Sequence, residues 1–325
     1  MTTATPPQTT PPLPLLQRVE WSRYIVYLGF VSILAFFAIV LRNDGFLTTE
    51  NLLNIVVQSA PVTIMTIGMV FVLSSGEIDL SVGSVVALAA LCTALLLRQM
   101  PVWLAVPGGL AVGALVGLFN GLFVTRLRLP SFLVTLATLG LVSGIARTIT
   151  NLQSVPISHD GFNAFFGGGE ILGIPSLVLW SVGSVAVGHF VLRETRFGAH
   201  ILAIGDSASA ARVSGIKVER NRLLVMVLSS TGAALAGVLY AGRLQGATYT
   251  LGETDLMTVI AAAIIGGTRL NGGVGTVMGA LLGSLTMGML NNGLILMGLS
   301  VAQQMIVRGL IILLAVAITL REKQR

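Results

Sequence analysis

Residues 74–84 read Ser-Ser-Gly-Glu-Ile-Asp-Leu-Ser-Val-Gly-Ser, and the fold turns on them. Two carboxylates and four serines stand between an apolar run at 53–73 and a shorter one at 82–97. The pattern returns in the second half. Gly76-Glu77-Ile78-Asp79-Leu80 matches Gly252-Glu253-Thr254-Asp255-Leu256, and that copy also opens a short apolar run, 256–267. A charged, glycine-containing break ahead of an undersized helix is the mark of a broken or re-entrant membrane helix.

The composition around these breaks fits a chain dissolved in lipid. Hydrophobic residues make up 54% of the 325 positions and charged residues 10%, against roughly a quarter charged in a water-facing globule. The mean hydropathy is +0.90. The single cysteine, Cys92, lies in an apolar run and reads as a small buried residue. The net charge of +6 does not point to nucleic acid, because the charges sit between apolar runs, where they set topology.

A spanning helix needs about 20 mostly apolar residues. Candidates lie near 24–41, 53–73, 82–97, 102–124, 130–149, 175–192, 223–243, 256–267, 274–297 and 302–320. With the N-terminus inside, 14 of the 19 Lys and Arg residues fall on the inner side. Arg42, Arg98, Arg147 and Arg243 fall outside, and Arg308 lies within the last run. This bias predicts both termini in the cytoplasm and an even number of spans. Residues 1–14 (MTTATPPQTTPPLP) show no cleavable signal and open a disordered tail expected over 1–23. One transmembrane domain is expected over 24–320, with a short tail at 321–325. An outer loop is expected at 150–174 and a basic inner loop at 193–222.

The repeat extends beyond the pentad. Val112–Gly117 (VGALVG) resembles Met278–Gly283 (MGALLG), and Asn residues follow each. The matched segments lie five spans apart, so the copies are inverted. The expected architecture is an all-α membrane protein of about ten transmembrane helices in an inverted 5+5 repeat, with halves near 24–170 and 175–320. Such halves give a pathway that opens to either side in turn.

Carboxylates near a membrane core are functional candidates by default. Ser75, Glu77, Asp79 and Ser81 therefore form a candidate hinge beside the pathway, although Asp79 or Ser81 also suits a helix cap. Asn120, Asn291, Asn292, Gln303 and Gln304 offer neutral hydrogen-bonding groups that suit a sugar, and equally suit helix-to-helix contacts. Arg308 is an intramembrane charge that suits a structural ion pair first, and otherwise a side chain that snorkels to an interface or lines a wet cavity. Glycines at 109, 113, 117, 121, 279 and 283 mark close helix packing. No catalytic constellation is evident. His159, His189 and His200 lack metal-ligand spacing. The glycine-rich run 266–275 lacks the Lys-Ser/Thr ending of a nucleotide-binding loop and reads as a tight inner turn. Energy must come from a partner or a gradient.

Four segments carry a family resemblance: Met69–Ser84 (MVFVLSSGEIDLSVGS), Gly205–Ile216 (GDSASAARVSGI), Ile264–Gly275 (IIGGTRLNGGVG) and Asn291–Leu314 (NNGLILMGLSVAQQMIVRGLIILL). They resemble the ribose-type permeases of bacterial ABC importers, in the same order and over nearly the whole chain after about residue 45. Glu77 departs from the pattern, since the family more often has Gly there.

The resemblance implies a type II permease fold like that of the vitamin B12 importers, in the bacterial inner membrane. It implies a cargo such as ribose, xylose, arabinose, galactose or a related polyol. It implies a tandem ABC ATPase that uses ATP and Mg, a periplasmic or lipid-anchored sugar-binding protein, and a second permease copy or a close relative. The chain itself would hold no cofactor and no metal. The inner loop 193–222 would sit where a coupling helix to the ATPase is expected, with Gly198–Gly215 its core and Arg196, Gly198, Gly205, Asp206, Arg212 and Gly215 in or beside it. A permease for branched-chain amino acids or another small solute is the nearest rival. A gradient-driven carrier, with an ion site drawn from Glu77, Asp79 and Arg308, is a second. A membrane enzyme fits least.

Overall fold

The computed structural model describes the backbone of residues 21–322, and side chains over most of that range. The expected tails therefore lie largely outside the described residues. The first half contains α1 (Trp21–Val40), α2 (Thr49–Ser74), α3 (Val82–Leu96), α4 (Val102–Arg126) and α5 (Ser131–Ile149). A short α6 (Asp160–Asn163) and a single π-helical turn at Ala164–Gly168 follow. The second half contains α7 (Ser176–Glu194), α8 (Arg196–Asp206), α9 (Ala208–Val213), α10 (Val218–Arg243), α11 (Asp255–Ile265), α12 (Val277–Leu296) and α13 (Val301–Glu322). Among the described residues, six helices, α2, α4, α5, α7, α10 and α12, are long and apolar enough to cross a membrane. The 11-residue α11 and 15-residue α3 are shorter.

Local chemistry sets the helix starts. Thr48 accepts a hydrogen bond from Asn51 N at 3.3 Å ahead of α2, a side-chain cap for an otherwise orphaned donor. Pro101, Pro130 and Pro175 occupy the cap positions of α4, α5 and α7. Thr195, Ser207 and Thr276 cap α8, α9 and α12. The segment 193–222 is thus not an open loop: two capped helices fill it, and α10 begins at Val218.

The helix α10 is central and packs on α2, α3 and α4. Small residues allow this. Gly113 and Gly117 of α4 lie directly against the backbone of Ser230 and Met226 on α10. Gly279 and Gly283 of α12 lie likewise against Gly266 and Ala262. Close backbone approach substitutes for hydrophobic driving force between helices in lipid.

The connecting segments gather at two ends. At one end Gly273 N donates to Ser74 O at 3.0 Å, and Gly205 rests on the same carbonyl. At the other end two short strands, β1 (Val155–Pro156) and β4 (Gly246–Ala247), pair antiparallel. A hairpin of β2 (Glu170–Ile171) and β3 (Ile174–Pro175) lies between the π turn and α7. The first end carries the segments that the charge bias assigns to the cytoplasm.

Candidate substrate pathway and coupling site

The two breaks are built alike and meet. Gly76 and Gly252 both have positive φ, +77° and +81°, a region that glycine enters without steric cost. The residues preceding α3 and α11, Ser81 and Thr254, share φ/ψ of −82°/−10° and −82°/−13°. Neither makes a side-chain cap bond. Gly83, in the first turn of α3, touches the backbone of Gly252: a Cβ placed on Gly83 would lie 2.6 Å from Gly252 O. From this contact α3 runs toward the end holding Val155 and Tyr249. In contrast, α11 runs toward the end holding Gly266 and Gly273. Two short helices therefore leave one shared point in opposite directions, each with its positive dipole end there.

The first break climbs α5. Ser131 accepts from Ile78 N and Thr135 from Leu80 N, both at 3.0 Å. Thr138 donates to Asn120 Oδ1 at 2.7 Å, and Asn120 donates to Ser81 Oγ at 3.0 Å. Ser131, Thr135 and Thr138 stand at i, i+4 and i+7, one face of a helix. That polar stripe was the available sequence signal for these three residues, which the sequence reading did not single out.

Asp79 is fully buried at the centre of this network. Its Oδ1 accepts from Ser81 N at 2.9 Å and Ser81 Oγ at 2.6 Å. Its Oδ2 accepts from Ser229 Oγ of α10 at 2.9 Å. Three donors offset the desolvation of the buried carboxylate. Ser81 does not cap α3: its hydroxyl donates to Asp79 and accepts from Asn120 in place of a helix N–H. Beside it, Glu77 Oε1 lies 2.8 Å from Arg222 Nε, with the Glu77 side chain 8% exposed and that of Arg222 30%. Ser75 donates to Val72 O at the end of α2.

The other neutral candidates are elsewhere. Asn292 and Asn51 form a reciprocal amide pair at 2.8 and 2.9 Å, joining α12 to α2. Asn291 keeps a buried Oδ1 without a hydrogen-bond partner among the described residues. Gln303 accepts from Ser300 N at 2.8 Å, while Ser300 accepts from Gln303 N at 3.4 Å. This is the reciprocal cap at the start of α13. The Arg308 guanidinium reaches toward Gln304 at 3.5 Å. The second break adds an exposed pair, Arg147 to Glu253 at 2.7 Å, with Arg147 over the Tyr249 ring at 5.3 Å.

The expected coupling residues lie together on α8, α9 and the turn after them. Gly198 packs on the Leu192 backbone, and Gly205 on Ser74 O and Gly273 N. Asp206 lies next to Gly273. Arg212 pairs with Glu219 at 2.6 Å on the surface. Gly215 supplies a turn with φ +82° before α10. Arg196 opens α8. Among the described residues, no group of His, Cys, Asp and Glu is placed to hold a metal.

Comparison with known proteins places these elements in context. The family model described as branched-chain amino acid transport system / permease component matches residues 51–316. The chain is 37% identical over 294 residues to the ribose import permease of Haemophilus influenzae, covering 89% of this chain and 91% of that one. It is 38% identical over 278 residues to the ribose import permease of Bacillus subtilis, covering 84% and 86%. The L-arabinose ABC transporter permease of Azospirillum brasilense is 37% identical over 289 residues, covering 88% and 84%. No solved structure matches the chain.

Proposed function

The chain belongs to the family of branched-chain amino acid transport system permease components, and we propose that it is the membrane subunit of an ABC importer for a monosaccharide. One observation carries the reading: the ribose permeases match it nearly end to end at 37–38% identity. It is a multi-pass membrane transport component, not an enzyme, and it works with an ATPase and a substrate-binding protein.

The finer architecture is ten spans in two inverted halves of five, a type II permease, with both termini in the cytoplasm. The matched geometry at Gly76 and Gly252 supports the inverted repeat. The grouping of Ser74, Gly205 and Gly273 at one end supports the assigned sidedness.

In this mechanism ATP and Mg are bound by the partner ATPase. Closure of that ATPase moves α8 and α9. Gly205 sits on the last carbonyl of α2, so displacement of α8 is passed directly to the end of α2 and to the first break. The break is held to α5 and α10 by Asp79, Ser131, Thr135 and Ser229. It therefore moves as a unit with the helix ends that meet at Gly83 and Gly252. A second permease copy completes the pathway, and the binding protein delivers sugar at the outer end.

The test of cargo is solute competition. The chain is reconstituted with its ATPase and binding protein, and uptake of labelled ribose is challenged with unlabelled arabinose, galactose, leucine or valine. Competition by pentoses or hexoses supports the proposal. Uptake of leucine with no sugar transport assigns the chain to the amino acid branch instead.

A further inference from the structure

We propose that the cleft between α2, α7 and α10 binds one acyl chain of a membrane lipid. The cleft measures 620 Å³. Gly68 and Phe71 of α2 form its floor, Gly183 and Val187 of α7 one wall, and Leu228 of α10 the other. This inference rests on the membrane reading alone and is independent of the cargo.

The chemistry of the lining selects the ligand class. Two of its few hydroxyls are already spent on the backbone: Ser176 donates to Gly167 O at 2.8 Å and Thr231 to Val227 O at 2.7 Å. A sugar or a file of water would find few partners there and lose its own hydrogen bonds. The lip residues Val187 and Leu228 are 65% and 38% exposed. They belong to helices long and apolar enough to cross the membrane, so the mouth faces hydrocarbon. The cleft follows α7 from Ser176 to Val191, roughly 22 Å at 1.5 Å per residue. That is well over half of a hydrocarbon core about 30 Å thick.

The site is also preformed. Trp180 Nε1 donates to Phe165 O at 3.1 Å, and the indole stacks on Phe166 at 5.4 Å. This fixes an aromatic rim near the strand-bearing end, where an interface belt is expected. Gly183 leaves the space open, since a Cβ built there meets nothing within 4 Å. The position has a mechanical consequence. The walls α7 and α10 lead directly into α8 and out of α9. An acyl chain seated there touches both helices that carry the coupling segment.

The test uses the full chain with Trp21→Phe and Trp103→Phe, leaving Trp180 as the only tryptophan. It is reconstituted in phosphatidylcholine brominated along the acyl chain, and emission is read. Trp180 is expected to be quenched, and Gly183→Leu, which fills the cleft, is expected to remove most of that quenching. Mass spectrometry of the detergent-purified protein should find retained phospholipid in the parent and less in Gly183→Leu. Two results overturn the proposal. One is quenching and retained lipid that Gly183→Leu leaves unchanged. The other is quenching that appears only when copies of the chain are dissociated, which assigns the cleft to a second copy. Equal thermal stability of the two proteins keeps the comparison free of misfolding.

Discussion

Gly83 and Gly252 touch backbone to backbone, 169 positions apart in sequence, at the point where α3 and α11 both begin. Each lacks a side chain where one would collide with the other's carbonyl. The contact joins the two halves at their breaks and makes those breaks one structural feature.

Substitution at this contact tests its tightness. Gly252→Ala carries a positive φ and a clash with Gly83 O and Val86. Gly173→Ala has a nearly equal φ, +77°, and open space. Both incur about 1–2 kcal/mol for the left-handed backbone, and Gly252→Ala alone adds about 1–3 kcal/mol for overpacking. Thermal unfolding in detergent should fall further for Gly252→Ala. Equal losses would contradict the packed contact.

Asp79 should be a structural anchor. Asp79→Ala leaves Ser81 N, Ser81 Oγ and Ser229 Oγ without their acceptor, and each orphaned donor costs about 1–3 kcal/mol. Asp79→Asn retains an acceptor oxygen and should lose less. The expected order of melting temperature is parent, Asn, then Ala. An alanine variant as stable as the parent would remove the network from the account.

Glu77 and Arg222 should be coupled. Arg222→Gln leaves the nearly buried Glu77 unpaired, at a cost of about 1–2 kcal/mol after allowance for the partial exposure of the arginine. Glu77→Gly with Arg222→Gln should recover part of the loss from either change. A double-mutant cycle on unfolding measures this. Strict additivity would leave Glu77 as a chance departure from the family pattern.

The coupling path predicts a separation of activities. Gly205→Ala places a methyl group against Ser74 O and Gly273 N. The permease should still bind its ATPase, because the exposed face of α9 is untouched. Sugar uptake per ATP hydrolysed should fall on the order of tenfold, the effect of about 1.4 kcal/mol on the coupling step. Normal uptake in this variant would place transmission elsewhere.

The all-helical membrane class and the two breaks were legible in the sequence because their signals are local. Apolar runs located the helices, and the pentads at 76 and 252 marked both breaks. Asp79 stood out because a carboxylate is costly in lipid. Its partner Ser229 was less legible, an ordinary polar residue until the fold brings α10 to the break, whereas Asn120 was already a candidate and reaches the network through Ser81. The neutral candidates behaved similarly. Nothing at Asn292 or Gln303 in sequence distinguishes a pathway residue from an amide that pairs with Asn51 or caps α13. The helices α8 and α9 lie where the resemblance places a coupling helix; the residues alone show only a basic segment, because both helices are short.

The most direct test of the central claim is energy coupling in proteoliposomes. The chain is inserted with its partner ATPase, sugar-loaded binding protein is supplied at the outer side, and ATP with Mg at the ATPase side. The account predicts accumulation of labelled sugar that stops when the ATPase, ATP or binding protein is omitted. Uptake by the chain alone, driven by a proton or sodium gradient, would contradict it.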